Sequence, residues 1–360
     1  MKRIGVVGAG AAAAAATFVL SETTDASITV LEKSGGLCGR AATRRRDGIV
    51  YDYGANYVKS ADERVTELLT ETLEADSLVD VTEPIWTFDA DGEVSEGRES
   101  DEHKWSYRRG LTQVAKRLFA RTDAEIHRRT RVERIVREGH DDADGRGDDD
   151  SAGVWFLEDA DGERWGPFDA LLLNPPAPQT ADLLRSADWD GDEALRAALL
   201  EAVDAVPYRT IWTGVFHYPF ALERPYYALI NTDKAHEVGW IAREECKPGH
   251  VPDGETVLVV QASHEWSVDR YDEPPEENLA ELAQHATELL EDDRLTEPDW
   301  TDHQGWRYAL TDDGAPTGSI RSAESVGLYC LGDWVAGEAR VHAALRCGLD
   351  VGERLALAGE

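Results

Sequence analysis

The 360-residue sequence predicts an α/β fold of two interleaved domains. One is a parallel-sheet domain assembled from both chain ends. The other is a smaller α+β domain with an antiparallel sheet, built from the middle. Three observations predict this division. A strand, a glycine turn, a helix and a strand follow one another over residues 2–32. Short strand-like runs dominate residues 209–263. Strand and helix return at residues 326–357. The expected boundaries are 1–60, 106–180 and 320–360 for the first domain, and 61–105 and 181–319 for the second.

The first strand is the apolar run 4–7. The turn Gly8-Ala9-Gly10-Ala11-Ala12-Ala13 follows and opens the alanine-rich helix. Gly8 suits a tight turn, and Gly10 suits a close backbone approach to a pyrophosphate. Ala13, in place of a third glycine, still lets helix and strand pack closely. The helix N-terminus, beginning at Ala11, offers N–H groups and a partial positive charge to phosphates. The second strand, 27–31, ends at Glu32, 24 residues beyond Gly8, and a carboxylate there suits a ribose diol. This is the pattern of a Rossmann-type dinucleotide grip; the alternative is a glycine turn in some other α/β protein. Lys2 and Arg3 before an apolar run also superficially fit a secretory signal. Gly8 and Gly10 fall where such a segment would be helical, which argues against it.

A second glycine turn is Gly35-Gly36-Leu37-Cys38-Gly39-Arg40. A nicotinamide dehydrogenase does not need it, whereas FAD must be held past the pyrophosphate. Gly39 gives backbone access there, and Arg40 a charge-assisted contact to phosphate or a surface ion pair. Residues 49–57 are a strand running into a turn. Residues 62–80 read as a helix, with Val65, Leu68, Leu69 and Leu73 at helical spacing. Short strands follow over 82–104 around Asp91-Gly92. Residues 110–121 read as an amphipathic helix and 126–136 as one strand. Residues 138–151, almost wholly Gly, Asp, Arg and His, are expected to form a solvated, mobile loop.

Strands at 154–157 and 169–173 come next, and the run Asn174-Pro175-Pro176 stops the second. Helices are expected from 179 and over 192–204. Strands at 209–218, 226–231, 238–243 and 256–263 form the second sheet. A helix over 276–291, an aromatic-rich run at 300–308, a strand at 326–331 and a helix at 340–357 complete the chain. A third motif, Leu331-Gly332-Asp333, places a carboxylate after a strand, where it can accept from a sugar hydroxyl of the cofactor. The last helix can aim its N-terminus at a flavin ring. Its face of Val341, Ala344, Leu345, Gly348, Gly352 and Leu355 includes small residues for close approach.

Acids number 71 against 37 Lys and Arg, a net charge of −34. Lysine is scarce, with seven in the chain. Such an acidic, lysine-poor surface resembles that of haloarchaeal proteins, in which salt screens self-repulsion; an ordinary acidic cytosolic protein is the alternative. The charge argues against nucleic acid and anionic membranes as partners. No apolar run is long enough to span a bilayer. The four cysteines form no C-x-x-C pair and the ten histidines no metal-binding spacing, so no metal site is expected and a reducing cytoplasm is.

The sequence resembles renalase and its microbial relatives, within the FAD-dependent amine oxidase and protoporphyrinogen oxidase superfamily. The resemblance is carried by the first turn, Glu32-Lys33, Gly39-Arg40-Ala41-Ala42-Thr43-Arg44-Arg45 and Asp52-Tyr53-Gly54-Ala55-Asn56-Tyr57. In the middle it is carried by Asn174-Pro175-Pro176-Ala177-Pro178-Gln179, Gly239-Trp240-Ile241-Ala242, residues 261–267 and Gly305-Trp306-Arg307-Tyr308, and at the end by Gly332-Asp333 and residues 341–348. It implies an FAD domain of the p-hydroxybenzoate hydroxylase type with a substrate domain over the flavin. The implied cofactor contacts are Gly8, Gly10, Ala11, Ala13, Glu32, Lys33, Gly39, Arg40, Gly332, Asp333, Val341 and Ala344. The backbone of Val132 is implied at the adenine, and Gly54 and Ala55 beside the isoalloxazine. Cys38, Ala41, His342 and Cys347 depart from the pattern, and a thiol pair near the cofactor is one reading of Cys38 and Cys347.

The implied reaction is hydride transfer from a C–H next to nitrogen onto flavin N5, with O₂ as acceptor. The flavin carries the chemistry, so no catalytic side chain is assigned. Asn56, Trp240 and Trp306 are the expected pocket residues. The substrate is a small molecule, either an isomeric reduced nicotinamide dinucleotide or an amine. The tripeptide Arg44-Arg45-Arg46 either attracts an anionic substrate or neutralises local acids. An amine or protoporphyrinogen oxidase, a non-catalytic FAD- or NAD-binding regulator and an NAD-dependent dehydrogenase are the alternatives.

Overall fold

Val6, Val30, Leu171 and Leu172 have no exposed surface, as strands covered on both faces require. They lie in a five-stranded sheet of a computed structural model that describes residues 1–73, 75–98, 100–139, 153–189 and 192–358. The strand order is Glu125–Arg128, β2 (Ser27–Glu32), β1 (Arg3–Val7), Ala170–Leu173 and Leu328–Cys330. Every neighbouring pair is parallel. This sheet belongs to the first of two compact units, residues 1–39, 114–207 and 311–360. A smaller sheet of Val132–Glu138, Val154–Asp159 and Arg164–Phe168, with Asp188–Trp189 on its edge, completes the unit's strands.

The alanine run forms α1 (Ala11–Thr23), and Ala12 to Ala16 are each at most 1% exposed. The C-terminal helix Val341–Leu357 packs along it. A Cβ on Gly348 would stand 2.1 Å from the Ala12 carbonyl oxygen, and one on Gly352 2.9 Å from Val19 Cβ. The small residues of the last helix therefore serve a helix–helix contact.

The second unit, residues 40–113 and 208–310, is built on a seven-stranded sheet. Its order is Trp300–Thr311, Tyr208–Tyr218, Thr256–Ala262, Val238–Arg243, Ala228–Asn231, Ile85–Phe88 and Val94–Ser95. The expected antiparallel pairing holds through the central strands, but Ile85–Phe88 joins Ala228–Asn231 in parallel. The helix Pro275–Leu290 lays Leu282, Ala286 and Leu290 against Phe216, Leu258 and Val260 in the core of this unit.

A buried ion network ties the second unit together. Asp52, Glu244, Lys247 and His250 are all fully buried. Lys247 Nζ lies 3.0 Å from Asp52 and 2.7 Å from Glu244. Asp52 also accepts from Thr43 Oγ1 at 2.6 Å, Ser106 Oγ at 3.0 Å and Leu111 N–H at 2.9 Å. His250 bridges Glu244 and the Tyr107 carbonyl, each at 2.9 Å. The group Asp52, Glu244 and His250 has the make-up of a cation site, and the Lys247 ammonium is the cation paired with both its carboxylates.

The structure differs from the sequence expectation in several places. The compact units divide the chain elsewhere than expected. Residues 40–60 and 106–113 fall in the second unit, because Asp52 is bonded there; residues 181–207 and 311–319 fall in the first. The first unit keeps 181–207 because Asp188 pairs with Val136, and it keeps 311–319 because Ala315 N–H donates to the Trp334 carbonyl. The helix expected over 62–80 is α-helical only at Glu63–Glu67, widens to a π turn at Leu68–Thr72, and ends in the strand Leu78–Asp80. That last strand is claimed by pairing with Lys104–Tyr107. The strand expected at 126–136 is two strands, because Arg129 at φ 60° turns the chain so that its N–H and that of Thr130 reach Ser34 and Glu32 carbonyls. The expected loop at 138–151 lies mostly outside the described residues.

Gly348→Ala is expected to destabilise the protein by about 1–3 kcal/mol, since two packed helices must part. Gly318→Ala, whose Cβ would meet nothing within 4 Å, is expected to be neutral or slightly stabilising. Chemical denaturation of both variants checks the contrast.

Lys247→Met leaves two buried carboxylates uncompensated and is expected to cost about 3–5 kcal/mol. Burial opposes ionisation of Asp52, but the charges of Lys247 and His250 and its hydrogen bonds hold its carboxyl below the usual range. Burial also opposes the Lys247 charge, yet Asp52 and Glu244 raise its ammonium above its usual value. The sign follows for each. Asp52 contributes stability above its unfolded value of about 4, lost as pH falls below it; Lys247 contributes below about 10, lost as pH rises above it. Stability measured against pH should show that plateau in the wild type, with both flanks shallower in Lys247→Met.

Candidate functional site

In the first unit the grip is built at the C-terminal ends of the parallel strands. Gly8, at φ 88°, makes the turn, and its N–H donates to the Leu31 carbonyl at 2.8 Å. Ala9 N–H donates to Glu32 Oε2 at 2.7 Å. Glu32 Oε1 accepts from Ser34 N–H and Ser34 Oγ, both at 2.7 Å. Glu32 therefore holds the turn as well as standing at the end of β2. Among the first-turn N–H groups of α1, that of Ala13 donates to Asn174 Oδ1, while no described residue accepts from those of Ala11 and Ala12. Two unpartnered N–H groups on a 13-residue helix beside a carboxylate fit a dinucleotide diphosphate and its ribose.

The second glycine turn is strapped to the first. Cys38 N–H donates to the Ala9 carbonyl at 2.8 Å, and the Cβ position of Gly39 lies 3.7 Å from Gly10 Cα. Lys33 is exposed and reaches Gln179 at 3.3 Å. Val132 opens its strand just after Thr130, whose N–H donates to the Glu32 carbonyl. Gly332 has φ 141°, a conformation that favours glycine, and its N–H donates to Cys347 Sγ at 3.4 Å. Asp333 is buried and accepts from Trp334 N–H at 3.0 Å. Val341 and Ala344 lie in the first turn of the C-terminal helix, which no side chain caps. Gly8, Gly10, Ala11, Ala13, Glu32, Lys33, Gly39, Val132, Gly332, Asp333, Val341 and Ala344 thus all belong to the first unit.

Arg40, Gly54 and Ala55 belong to the second unit. Arg40 donates to the Ala309 carbonyl at 2.9 Å, with its guanidinium 5.9 Å from the Tyr208 ring centre. Gly54 has no room for a side chain, since a Cβ would stand 2.0 Å from the Arg40 carbonyl oxygen. Its own carbonyl accepts from Gln261 Nε2 at 2.7 Å.

The three expected pocket residues separate into two groups. Trp306 stacks on Tyr53 at 5.4 Å and donates its N–H to the Tyr53 carbonyl, so that N–H is committed within the protein. Trp240 lies with Tyr57 and Tyr227, with ring centres 6.1–6.4 Å apart. Trp240 Nε1, the Tyr227 hydroxyl and Asn56 Oδ1 are buried without hydrogen-bond partners. Burial holds the Tyr227 hydroxyl well above its ordinary pKa, so it stays a donor. The arginine run is engaged within the unit. Arg44 bonds Asp302, the His303 carbonyl and Gln304 and lies over the Tyr53 ring; Arg45 donates to the Arg109 carbonyl; Arg46 lies over Trp300.

Sequence reasoning missed Tyr227 and the bonding role of Asn174. Tyr227 directly precedes the strand Ala228–Asn231, in an apolar stretch that carries no signal. An asparagine directly after a buried parallel strand is a signal, because ligands bind beyond such strand ends. All four cysteines are free thiols. Burial raises the thiols of Cys330 and Cys347 to about 12 and about 11, so neither is a reactive thiolate. Outside the network of Lys247, His236, Glu237 and His285 form the other described group with the make-up of a metal site. There His236 Nδ1 already accepts from Val238 N–H at 2.9 Å.

Residues 6–72 match the family model of the NAD(P)-binding Rossmann-like domain. The chain carries a Rossmann-like dinucleotide fold. Among solved structures it is similar to a candidate protoporphyrinogen oxidase from Exiguobacterium sp. 255-15, with 15% identity, TM-score 0.78 and 99% of each chain covered. It is also similar to cyclohexylamine oxidase from Brevibacterium oxydans IH-35A, with 14% identity, TM-score 0.70 and 99% of each chain covered. A third is a fatty acid isomerase from P. acnes that produces CLA, with 13% identity, TM-score 0.68 and 98% of each chain covered. At these identities the likeness is one of fold. No helix among the described residues is long and apolar enough to cross a membrane.

Glu32→Gln turns one accepting oxygen into an amide NH₂ facing an N–H donor. It is expected to cost about 1–3 kcal/mol, read as a lower thermal midpoint of the cofactor-free protein.

Proposed function

We propose that the chain is an FAD-dependent oxidoreductase of the oxidase type, taking a hydride from a C–H next to nitrogen. Bound FAD would supply the hydride acceptor, and O₂ its reoxidation. The N–H groups of Ala11 and Ala12 hold the diphosphate, and Glu32 the adenosine ribose. The backbone of Val132 lies at the adenine, and Gly332-Asp333 and the start of the C-terminal helix lie toward the flavin end.

The observation that supports the substrate assignment is a pair of buried groups without partners among the described residues, the Tyr227 hydroxyl and Trp240 Nε1, on rings whose centres lie 6.1 Å apart. Buried polar atoms are nearly always bonded, so such a set fits a ligand that pairs with it. The pair offers two donors, and Asn56 Oδ1, next to Tyr57 in the sequence, is a buried acceptor without a partner among the described residues. A planar ring bearing a carboxamide matches that set, with one carbonyl to accept and one NH₂ to donate. We therefore favour a renalase-like enzyme acting on isomeric reduced nicotinamide dinucleotides. An ammonium substrate would use the rings by cation–π contact but could not satisfy the two donors. Arg44 is fully engaged with Asp302 and its neighbours, which supports the neutralising role for the arginines. Free thiols and the acidic surface suit a cytoplasm, and a salt-rich one.

The test is anaerobic flavin bleaching in molar salt, with ordinary and isomeric reduced nicotinamides and then amines. Bleaching by the isomeric nicotinamides is expected. Bleaching by amines alone would transfer the assignment to an amine oxidase. No bleaching by any donor, without peroxide release, would leave a cofactor-binding regulator. Trp240→Phe should raise KM about tenfold, the worth of one hydrogen bond, while kcat changes little.

A further inference from the structure

Asn174 joins the two halves of the grip. It follows the strand Ala170–Leu173, and its side chain spans two neighbouring strand ends. Its Oδ1 accepts from Gly10 N–H at 3.1 Å and from Ala13 N–H at 3.3 Å. Its Nδ2 donates to the Leu331 carbonyl at 3.1 Å. Leu331 immediately precedes Gly332-Asp333, so one amide ties the first glycine turn to the third motif.

The same side chain accounts for Gly10. Gly10 has φ −75° and ψ 178°, an extended conformation that any residue adopts. A Cβ there would nevertheless stand 2.5 Å from Asn174 Oδ1, and the three nearest heavy atoms all belong to Asn174. In this chain a methyl group at residue 10 would displace the Asn174 amide, whatever a bound phosphate adds.

We propose that Asn174 is a positioning residue for a dinucleotide diphosphate. It occupies the N–H groups of Gly10 and Ala13, leaves those of Ala11 and Ala12 to the phosphate oxygens, and fixes their distance from Gly332-Asp333. The proposal rests on the assignment of this turn to FAD. An amide suits the role because it accepts toward the helix and donates toward the carbonyl at once. A carboxylate would lack the donor and would repel the diphosphate.

The experiment has two readouts on the cofactor-free full-length protein. The first is thermal stability in a double-mutant cycle. Gly10→Ala should lower the midpoint by about 4 °C in the wild type and by much less in Asn174→Ala, where the clash is gone. The second is affinity for ADP and for adenosine. Asn174→Ala should weaken ADP about tenfold or more and change adenosine within about twofold, since only ADP carries the diphosphate. An equal cost of Gly10→Ala in both backgrounds would overturn the proposal. So would ADP and adenosine weakening together, or ADP binding that is unchanged or tighter. If Asn174→Ala does not fold, Asn174→Ser gives the same comparison. A wild type that binds neither ADP nor FAD defeats the FAD assignment itself, which is a different result from a wild type that binds both and ignores the substitution.

Discussion

The first unit depends on how little space surrounds α1. The helix lies between the parallel sheet and the C-terminal helix, and Gly348 meets its backbone where a methyl group would stand 2.1 Å from the Ala12 oxygen. Where the last helix comes closest, at Ala12, Ala15 and Ala16, the helix carries only methyl side chains. The packing fixes the helix from both sides, and so fixes where its unpartnered N–H groups point. A diphosphate is bound well only by donors that are already in place, because ordering them on binding would cost affinity. The alanine run therefore sets the position of the helix N-terminus, although no alanine side chain carries a polar atom.

The grip was legible because its parts are local. Strand, Gly8, helix and Glu32 fall within one short stretch, and their spacing alone carries the geometry. The features that were not legible are long-range. Asp52 meets Lys247 across 195 residues, and neither residue announces the other in sequence. Leu78–Asp80 reads as the end of a helix until Lys104–Tyr107 pairs with it, a tertiary override of a helical pattern. The compact units divide the chain elsewhere for the same reason: Thr43–Arg46 and Ile49–Asp52 look continuous with the nucleotide motif, yet their bonds run to residues 106–111 and 244–250. Asn174 is the intermediate case. Its position after a buried strand was visible, but its acceptors and donors come from residues 161 to 164 positions before it and 157 after.

In the second unit, charge and aromatic rings are arranged for opposite ends. The arginines 44–46 form an unbroken basic triplet in an acidic chain, and each is spent on a neighbour: Asp302 with the Tyr53 ring, the Arg109 carbonyl, and the Trp300 ring. Trp306 is likewise committed through its N–H. Trp240 Nε1 and the Tyr227 hydroxyl, by contrast, have no partner among the described residues. A tryptophan count says nothing about which indole N–H is already committed; the hydrogen bonds do.

Cys38 shows how the two glycine turns act as one. It has φ 77°, a region that costs a non-glycine residue about 1–2 kcal/mol. Such a conformation persists only where the surroundings over-determine it. Here they do: Cys38 N–H is bonded to Ala9, residue 38 bridges Gly10, and Gly39 follows in the same left-handed region against Gly10. The side chain is buried, so the sulfur fills space at a position where the backbone, and not the thiol, has the work to do. A glycine would take this conformation with less strain and would leave the bonds to Ala9 intact. The conclusion concerns the first turn as much as the second. Ala9 donates to Glu32 and accepts from Cys38, so the end of β2 and the second glycine turn are held by one residue between two glycines.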